Sequence, residues 1–185
     1  MSKPLEKLPE ISSLPTLPRE THEAIISLLF EPSPPLNTLA TPSLANTTYG
    51  SYEALVDAVH GILKSTFDKE DFSTLDSILS AHPRLGEKKV ESALSKAEQA
   101  AMIKASSGQG SGDAEKEAEI LQALNKEYEE TFPSLVYTVF VNGRPRSVIF
   151  EDMKERIKRR DINAERGDAI QAMCDIANDR ANKLQ

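Results

Sequence analysis

The 185-residue chain is 39% hydrophobic and 28% charged, with only 5% aromatic residues and no tryptophan. That is the balance of a globular protein with a mainly aliphatic core, in one domain by length. Its net charge of −7 argues against a nucleic-acid surface, which needs clustered basic residues, and its one cysteine, Cys174, excludes an internal disulfide and agrees with a reducing compartment.

Residues 1–20 carry Pro4, Pro9, Pro15 and Pro18, a spacing through which no helix can run, so an extended Pro-rich arm is expected ahead of one helical domain over 21–185. A first helix is predicted from Thr21, presenting Ile25, Leu28 and Leu29. The Pro-, Ser-, Thr- and Asn-rich stretch 31–50 reads as a long loop. From Ser51, the residues Leu55, Val56, Val59, Ile62 and Leu63 share one helical face. A further helix carries Phe72, Leu75, Ile78 and Leu79 and ends at His82-Pro83, because proline disfavours a helical residue before it. A short helix is expected over Ser95 to Lys104, then a flexible Gly/Ser connector at 106–112.

Asp113 is the expected cap of a helix showing Ile120, Leu121, Leu124 and Tyr128. Residues 135–141, Leu-Val-Tyr-Thr-Val-Phe-Val, have the composition of a buried strand, although periodicity does not separate that from a segment within a helical layer. Asn142-Gly143 signals a turn. Ser147 is the expected cap of a helix to about Arg159, and a last helix carries Ile170, Met173, Ala177 and Leu184. The fold class is therefore all-α, a single-domain multi-helix bundle, with one short extended segment near 135–141 left open.

Of the three histidines, His22 and His60 lie in ordinary amphipathic helices and read as solvated or half-buried residues. His82 continues the stripe of Leu75, Ile78 and Leu79 past the helix end, so it points inward at a chain reversal. Two roles fit it, a satisfied core histidine and a proton-transfer group working near neutral pH. Ser95-Lys96-Ala97-Glu98 has the spacing of a helix capping box, and Gln99 beside it offers an amide suited to a urea-like group. Arg180 follows Ala177 by three residues on an apolar stripe, where a guanidinium needs an anionic partner, internal or from a substrate. Arg144, at the end of the 135–141 run, reads as a surface residue. The charge runs 115–119 and 154–161 read as solvated helix faces. No metal-ligand spacing and no phosphate-cradling glycine loop is present.

The order of these motifs is more informative than any one of them. Phe30-Glu31-Pro32-Ser33-Pro34, His82-Pro83-Arg84-Leu85-Gly86, Ser95-x-x-Glu98-Gln99 and Leu124-Asn125-x-x-Tyr128-x-x-x-Phe132, followed by Arg180 ahead of Leu184, resemble the 2-oxo-4-hydroxy-4-carboxy-5-ureidoimidazoline (OHCU) decarboxylases over most of residues 22–184, in the shorter form of fungal and bacterial sequences. The spacing from His82 to Glu98 is shorter than in animal and plant members. Phe132-Pro133-Ser134-Leu135-Val136-Tyr137 stands where the family has Phe-Gly-Phe-Pro-Phe, and the Gly/Ser connector looks inserted.

The resemblance implies an all-helical homodimer that decarboxylates OHCU to (S)-allantoin in urate degradation, without metal or organic cofactor. It implies His82, Glu98 and Arg180 as catalytic residues. It implies a substrate site formed by Pro83, Ser95 and Gln99, with the backbone of Tyr137, Val139 and Val141. The partner is then a small ureidoimidazoline, with neither nucleic acid nor membrane. No apolar run approaches the ~20 residues of a membrane span, the first ten residues lack a secretory stretch, and Lys183-Leu184-Gln185 is not a Ser-Lys-Leu type peroxisomal address, so a cytoplasmic or peroxisomal location is expected. The competing class is a helical interaction module or an inactive homologue, which would gain nothing from burying His82 and Arg180.

Overall fold

In this computed structural model, residues 5, 7–87, 93–106 and 111–185 are described. Among them the chain forms a 3-10 helix at Ile11–Thr16 and eight α-helices, and no strand. Backbone contacts gather these into two compact units, Met1–Ala81 with Ile170–Gln185, and His82–Ala169.

The first unit holds α1 (Arg19–Phe30), α2 (Pro34–Asn46), α3 (Tyr52–Asp68), α4 (Phe72–Leu79) and the later part of α8 (Ile162–Leu184). Helix α1 begins two residues before the expected Thr21, because Pro18 stands at its N-cap with φ already near −68°. The stretch expected as a loop over 31–50 is mostly helix α2. Ser33 accepts the N–H of Leu36 at 3.4 Å, Pro34 and Pro35 occupy the first turn where a missing N–H costs nothing, and Leu36, Ala40 and Leu44 form a buried stripe. Of the prolines read as loop residues, Pro34 and Pro35 start the helix and Pro42 lies inside it. Caps from Ser51 and Asp71 open α3 and α4, which bury Leu55, Val56, Val59, Leu63, Leu75, Ile78 and Leu79, while Ile62 and Phe72 of the same stripes are half-buried.

Leu8, Pro9 and Leu14 of the N-terminal arm are tied down. Leu14 is fully buried, its carbonyl accepts from His22 Nε2 at 2.7 Å, Tyr52 donates to Pro9 O at 2.9 Å, and Leu8 N–H donates to Leu184 O at 2.9 Å. His22 is thus a buried, satisfied histidine. Burial, then the carboxylates of Asp175 and Asp57, push the Cys174 thiol up to about 12.

The second unit holds α5 (Ala93–Ser106), α6 (Ser111–Thr131), α7 (Arg146–Arg159) and residues 162–169 of α8. Helix α6 starts two residues before the expected cap Asp113, and α7 starts at Arg146 after Pro145, which puts Ser147 inside the helix. The Gly/Ser connector falls at 107–110 outside the described residues, while Ser106 closes α5 and Ser111 opens α6. Asp161 accepts the N–H groups of Asn163 and Ala164 at 3.0 Å and so caps α8. Among the described residues no helix is long and apolar enough to cross a membrane.

Residues 135–141 are buried or half-buried, as their composition required, but they are not a strand. With no strand among the described residues to complete a ladder, the carbonyls of Thr138, Phe140 and Val141 are satisfied by side chains instead. Arg156 donates to Thr138 O at 3.3 Å, and Arg144 donates to Phe140 O and, at 3.2 Å, to Val141 O. The expected turn follows, with Asn142 and Gly143 at φ of 45° and 71° and Arg144 N–H on Val141 O. Arg144 is half-buried with its guanidinium on these backbone carbonyls, so it is not a free surface cation.

Candidate functional site

His82 opens the second unit, three residues beyond the end of α4, and is 8% exposed. The loop it begins is held from several sides. Arg84 pairs with Glu129 through two parallel bonds, Nε to Oε1 at 2.7 Å and Nη2 to Oε2 at 2.5 Å, the fork geometry that fixes both position and orientation. Asn125 Nδ2 donates to Leu85 O at 2.9 Å. Gln99 Oε1 accepts the N–H of Gly86 at 3.1 Å, and Gln99 Nε2 donates to Arg84 O at 3.4 Å. Helices α5 and α6 together therefore set the path of residues 84–86.

Gly86 cannot be replaced without disturbance. Its φ is +79°, and a Cβ there would lie 2.6 Å from Leu121 Cδ2. This explains the glycine of the His-Pro-Arg-Leu-Gly segment by backbone geometry, and Asn125 and Glu129 on α6 by the bonds they make to it. Asn125 belonged to a quoted motif without a role. Glu129 had no sequence signal at all, since its partner lies 45 residues away.

On α5, Ser95 is buried at 2% exposure, while Glu98 and Gln99 are half-buried. The capping-box reading does not fit, because α5 already begins at Ala93 and Ser95 lies inside it. Gln99 spends one acceptor and one donor on the loop and retains a further N–H and lone pair. Pro83, Val139 and Val141 are half-buried, and all lie in the unit that contains His82, Ser95 and Glu98.

Tyr137 is 2% exposed, and its hydroxyl donates to Asp152. Arg156 lies 5.1 Å over its ring and bonds Asp152 Oδ2 at 3.0 Å. Next to it, the Tyr128 hydroxyl donates to Glu165 Oε2 at 2.6 Å, and the two tyrosine rings meet edge-on at 5.5 Å. Glu165, wholly buried, also takes Arg159 Nη2 at 2.6 Å. Burial, then the hydrogen bond to a carboxylate, push both phenols well above the usual tyrosine range. The 154–161 run is thus not only a solvated face, since Arg156 and Arg159 turn inward to buried acids. In the 115–119 run, Glu117 pairs with the buried Arg146 at 3.0 Å.

Arg180 lies in the first unit at 1% exposure. Its Nη2 bonds Glu31 Oε1 at 2.7 Å, and its Nη1 donates to Leu28 O and Leu29 O at 3.3 and 3.4 Å. A cation on an apolar stripe has thus found its carboxylate inside the protein, at the end of α1.

No curated protein matches the sequence. The OHCU decarboxylase family matches residues 15–182, a span that contains His82, Ser95, Glu98, Gln99, Tyr137 and Arg180. The chain therefore belongs to the OHCU decarboxylases, a carboxy-lyase family of urate degradation.

Proposed function

We propose that the protein converts OHCU to (S)-allantoin as a homodimer, using no metal or organic cofactor. The observation that carries this reading is a buried histidine, His82, at the head of a loop pinned by Arg84–Glu129, Asn125 and Gln99. A proton donor must be held still to deliver its proton to one face of a planar carbon, and such clamping suits that task.

The chemistry asks little else of the protein. The substrate carboxylate sits beside a ring C=N bond. As the C–C bond breaks and carbon dioxide leaves, that bond accepts the electron pair at its nitrogen, which takes a proton from solvent. The ring hydroxyl gives up its proton as it becomes a carbonyl, and a proton is added at the adjacent carbon on one face. His82 is the group that returns the proton, after first taking one from the hydroxyl. Glu98 orients His82 or receives ureido N–H groups. Ser95 and the remaining amide hydrogen of Gln99 meet polar edges of the substrate, and Pro83 shapes the wall. The backbone of Tyr137 and Val139 and the N–H of Val141 offer further hydrogen bonds, while the carbonyls of Thr138 and Val141 are already held by Arg156 and Arg144. Arg180 pairs with a substrate oxygen or carboxylate.

The test is to generate OHCU in situ from urate, with urate oxidase and the following hydrolase, and to follow circular dichroism of the allantoin formed. The wild type gives one enantiomer faster than the protein-free control. His82→Ala loses about 10²–10⁴-fold of that rate. Decay at the control rate with the wild type would leave an interaction module or an inactive homologue. Undiminished activity in His82→Ala would keep the reaction and remove His82 from it. Sedimentation at twice the chain mass supports the homodimer, and sedimentation at the chain mass overturns it.

A further inference from the structure

Glu31 has a backbone that side chains avoid. At φ 71° and ψ 155° it occupies a region populated almost solely by glycine. It is nevertheless a glutamate, 3% exposed, directly after the last residue of α1. Glycine would fit that turn without strain. The chain instead puts a buried carboxylate there, and that carboxylate bonds Arg180 Nη2 at 2.7 Å.

Arg180 is held from a second side by the carbonyls of Leu28 and Leu29, at the C-terminal end of α1 where the helix leaves its acceptors unfilled. Two edges of a planar guanidinium are thereby fixed, which sets its plane. Stability alone is a poor reason for this arrangement. A buried ion pair returns little net stability against its desolvation, and here one partner also sits on strained backbone. Strain of this kind is held where surrounding structure over-determines a geometry, and it gathers at working sites.

The geometry points to Glu31 as a positioning residue for the decarboxylation: it fixes the plane and direction in which Arg180 meets an anionic oxygen of the substrate. The inference rests on the reading that Arg180 binds substrate. It adds that the Phe-Glu-x-Ser-Pro segment serves the site through Arg180 rather than by touching the substrate.

Two variants of Glu31 separate positioning from stability. Glu31→Gly removes the carboxylate and relieves the backbone. Glu31→Gln keeps the shape and an acceptor oxygen but not the charge. Each is compared with wild type in kcat and KM by the in-situ assay, at a temperature where melting curves show it fully folded. Glu31→Gly is expected to melt within a few degrees of wild type while kcat/KM falls ~10-fold or more, as misorientation of a substrate-contacting group does. Glu31→Gln is expected to retain more activity than Glu31→Gly. In an Arg180→Lys background the effect of Glu31→Gly should shrink to less than about twofold, because the guanidinium it orients is gone. If Glu31→Gly does not fold, Glu31→Gln decides, with a loss of severalfold expected.

The failures are distinct. Folded Arg180→Lys with unchanged kcat/KM removes Arg180 from the site, and this inference with it. Loss in Arg180→Lys together with unchanged kcat/KM in a folded Glu31 variant overturns the positioning role alone. Activity that merely follows the folded fraction, or equal losses from Glu31→Gly in both backgrounds, also overturns it.

Discussion

Glu165 and Arg180 are both almost wholly buried, at 0% and 1% exposure, and both lie near helix ends of the favourable sign. Glu165 stands in the first turn of α8, where the helix end is positive, and Arg180 meets the negative end of α1. Their surroundings differ. Glu165 is met by Tyr128 from α6 and by Arg159 from α7, and Arg159 still reaches solvent at 38% exposure. Its partners are ordinary helix residues, and the cluster ties three helices of its unit together. Arg180 instead takes its carboxylate from a residue whose backbone suits glycine. One cluster gathers its partners without strain and serves cohesion. The other holds its guanidinium through a carboxylate on strained backbone, at some cost to cohesion.

Breaking the first cluster tests that contrast most strongly. Glu165→Ala takes the acceptor from the buried Tyr128 hydroxyl and one of two carboxylates from Arg159, and is expected to cost about 3 kcal/mol, seen as a melting point lower by ~10 °C in a protein of this size. Glu31→Gly at the second cluster should move the melting point far less. Near-equal losses would erase the distinction between them. Tyr128→Phe is gentler. It removes one hydrogen bond to a buried carboxylate that keeps Arg159, and should cost about 2 kcal/mol by denaturant titration; a neutral result would mean that the arginines alone suffice.

The smallest effect is alkaline. The folded chain holds protons that the unfolded chain releases, because burial pushes Cys174 from 9.0 to about 12 and Tyr52 from 10.0 to about 12, and raises Tyr128 and Tyr137 further. The native state then binds more protons than the unfolded state above pH 9, so stability falls as pH rises through the unfolded values. Thermal melts should decline from about pH 9 upward. Cys174→Ala should flatten the onset of the decline near pH 9, where the thiol releases its proton ahead of the tyrosines, and leave the steeper tyrosine part above it. An unchanged slope would show that the thiol is not protected by folding.

Much of the first unit was legible along the chain. In α3 and α4, and in the later part of α8, apolar residues recur at helical spacing with few interruptions, and the same spacing marked His82 and Arg180 as inward-facing. Helix α2 was not legible, because proline and serine carry opposite meanings at a helix start and in a loop, and composition does not say which applies. Residues 135–141 advertised burial through Val, Tyr and Phe, and burial was the part of that signal that held. A strand also needs a partner strand, which is a property of the whole fold. The charge run at 154–161 gave no hint of Arg156 and Arg159 facing a buried acid, since that acid, Glu165, comes from the next helix.

The sequence by itself determined the helical class, the apolar stripes and the family, because these depend on residue types at short, regular spacings. Tertiary structure decided which polar groups are occupied and by whom. It gave Arg84 to Glu129, Leu85 to Asn125, Tyr137 to Asp152 and Arg180 to Glu31. A buried donor must find an acceptor wherever folding brings one within about 3 Å, and sequence distance, here 149 residues for the last pair, carries no information about that.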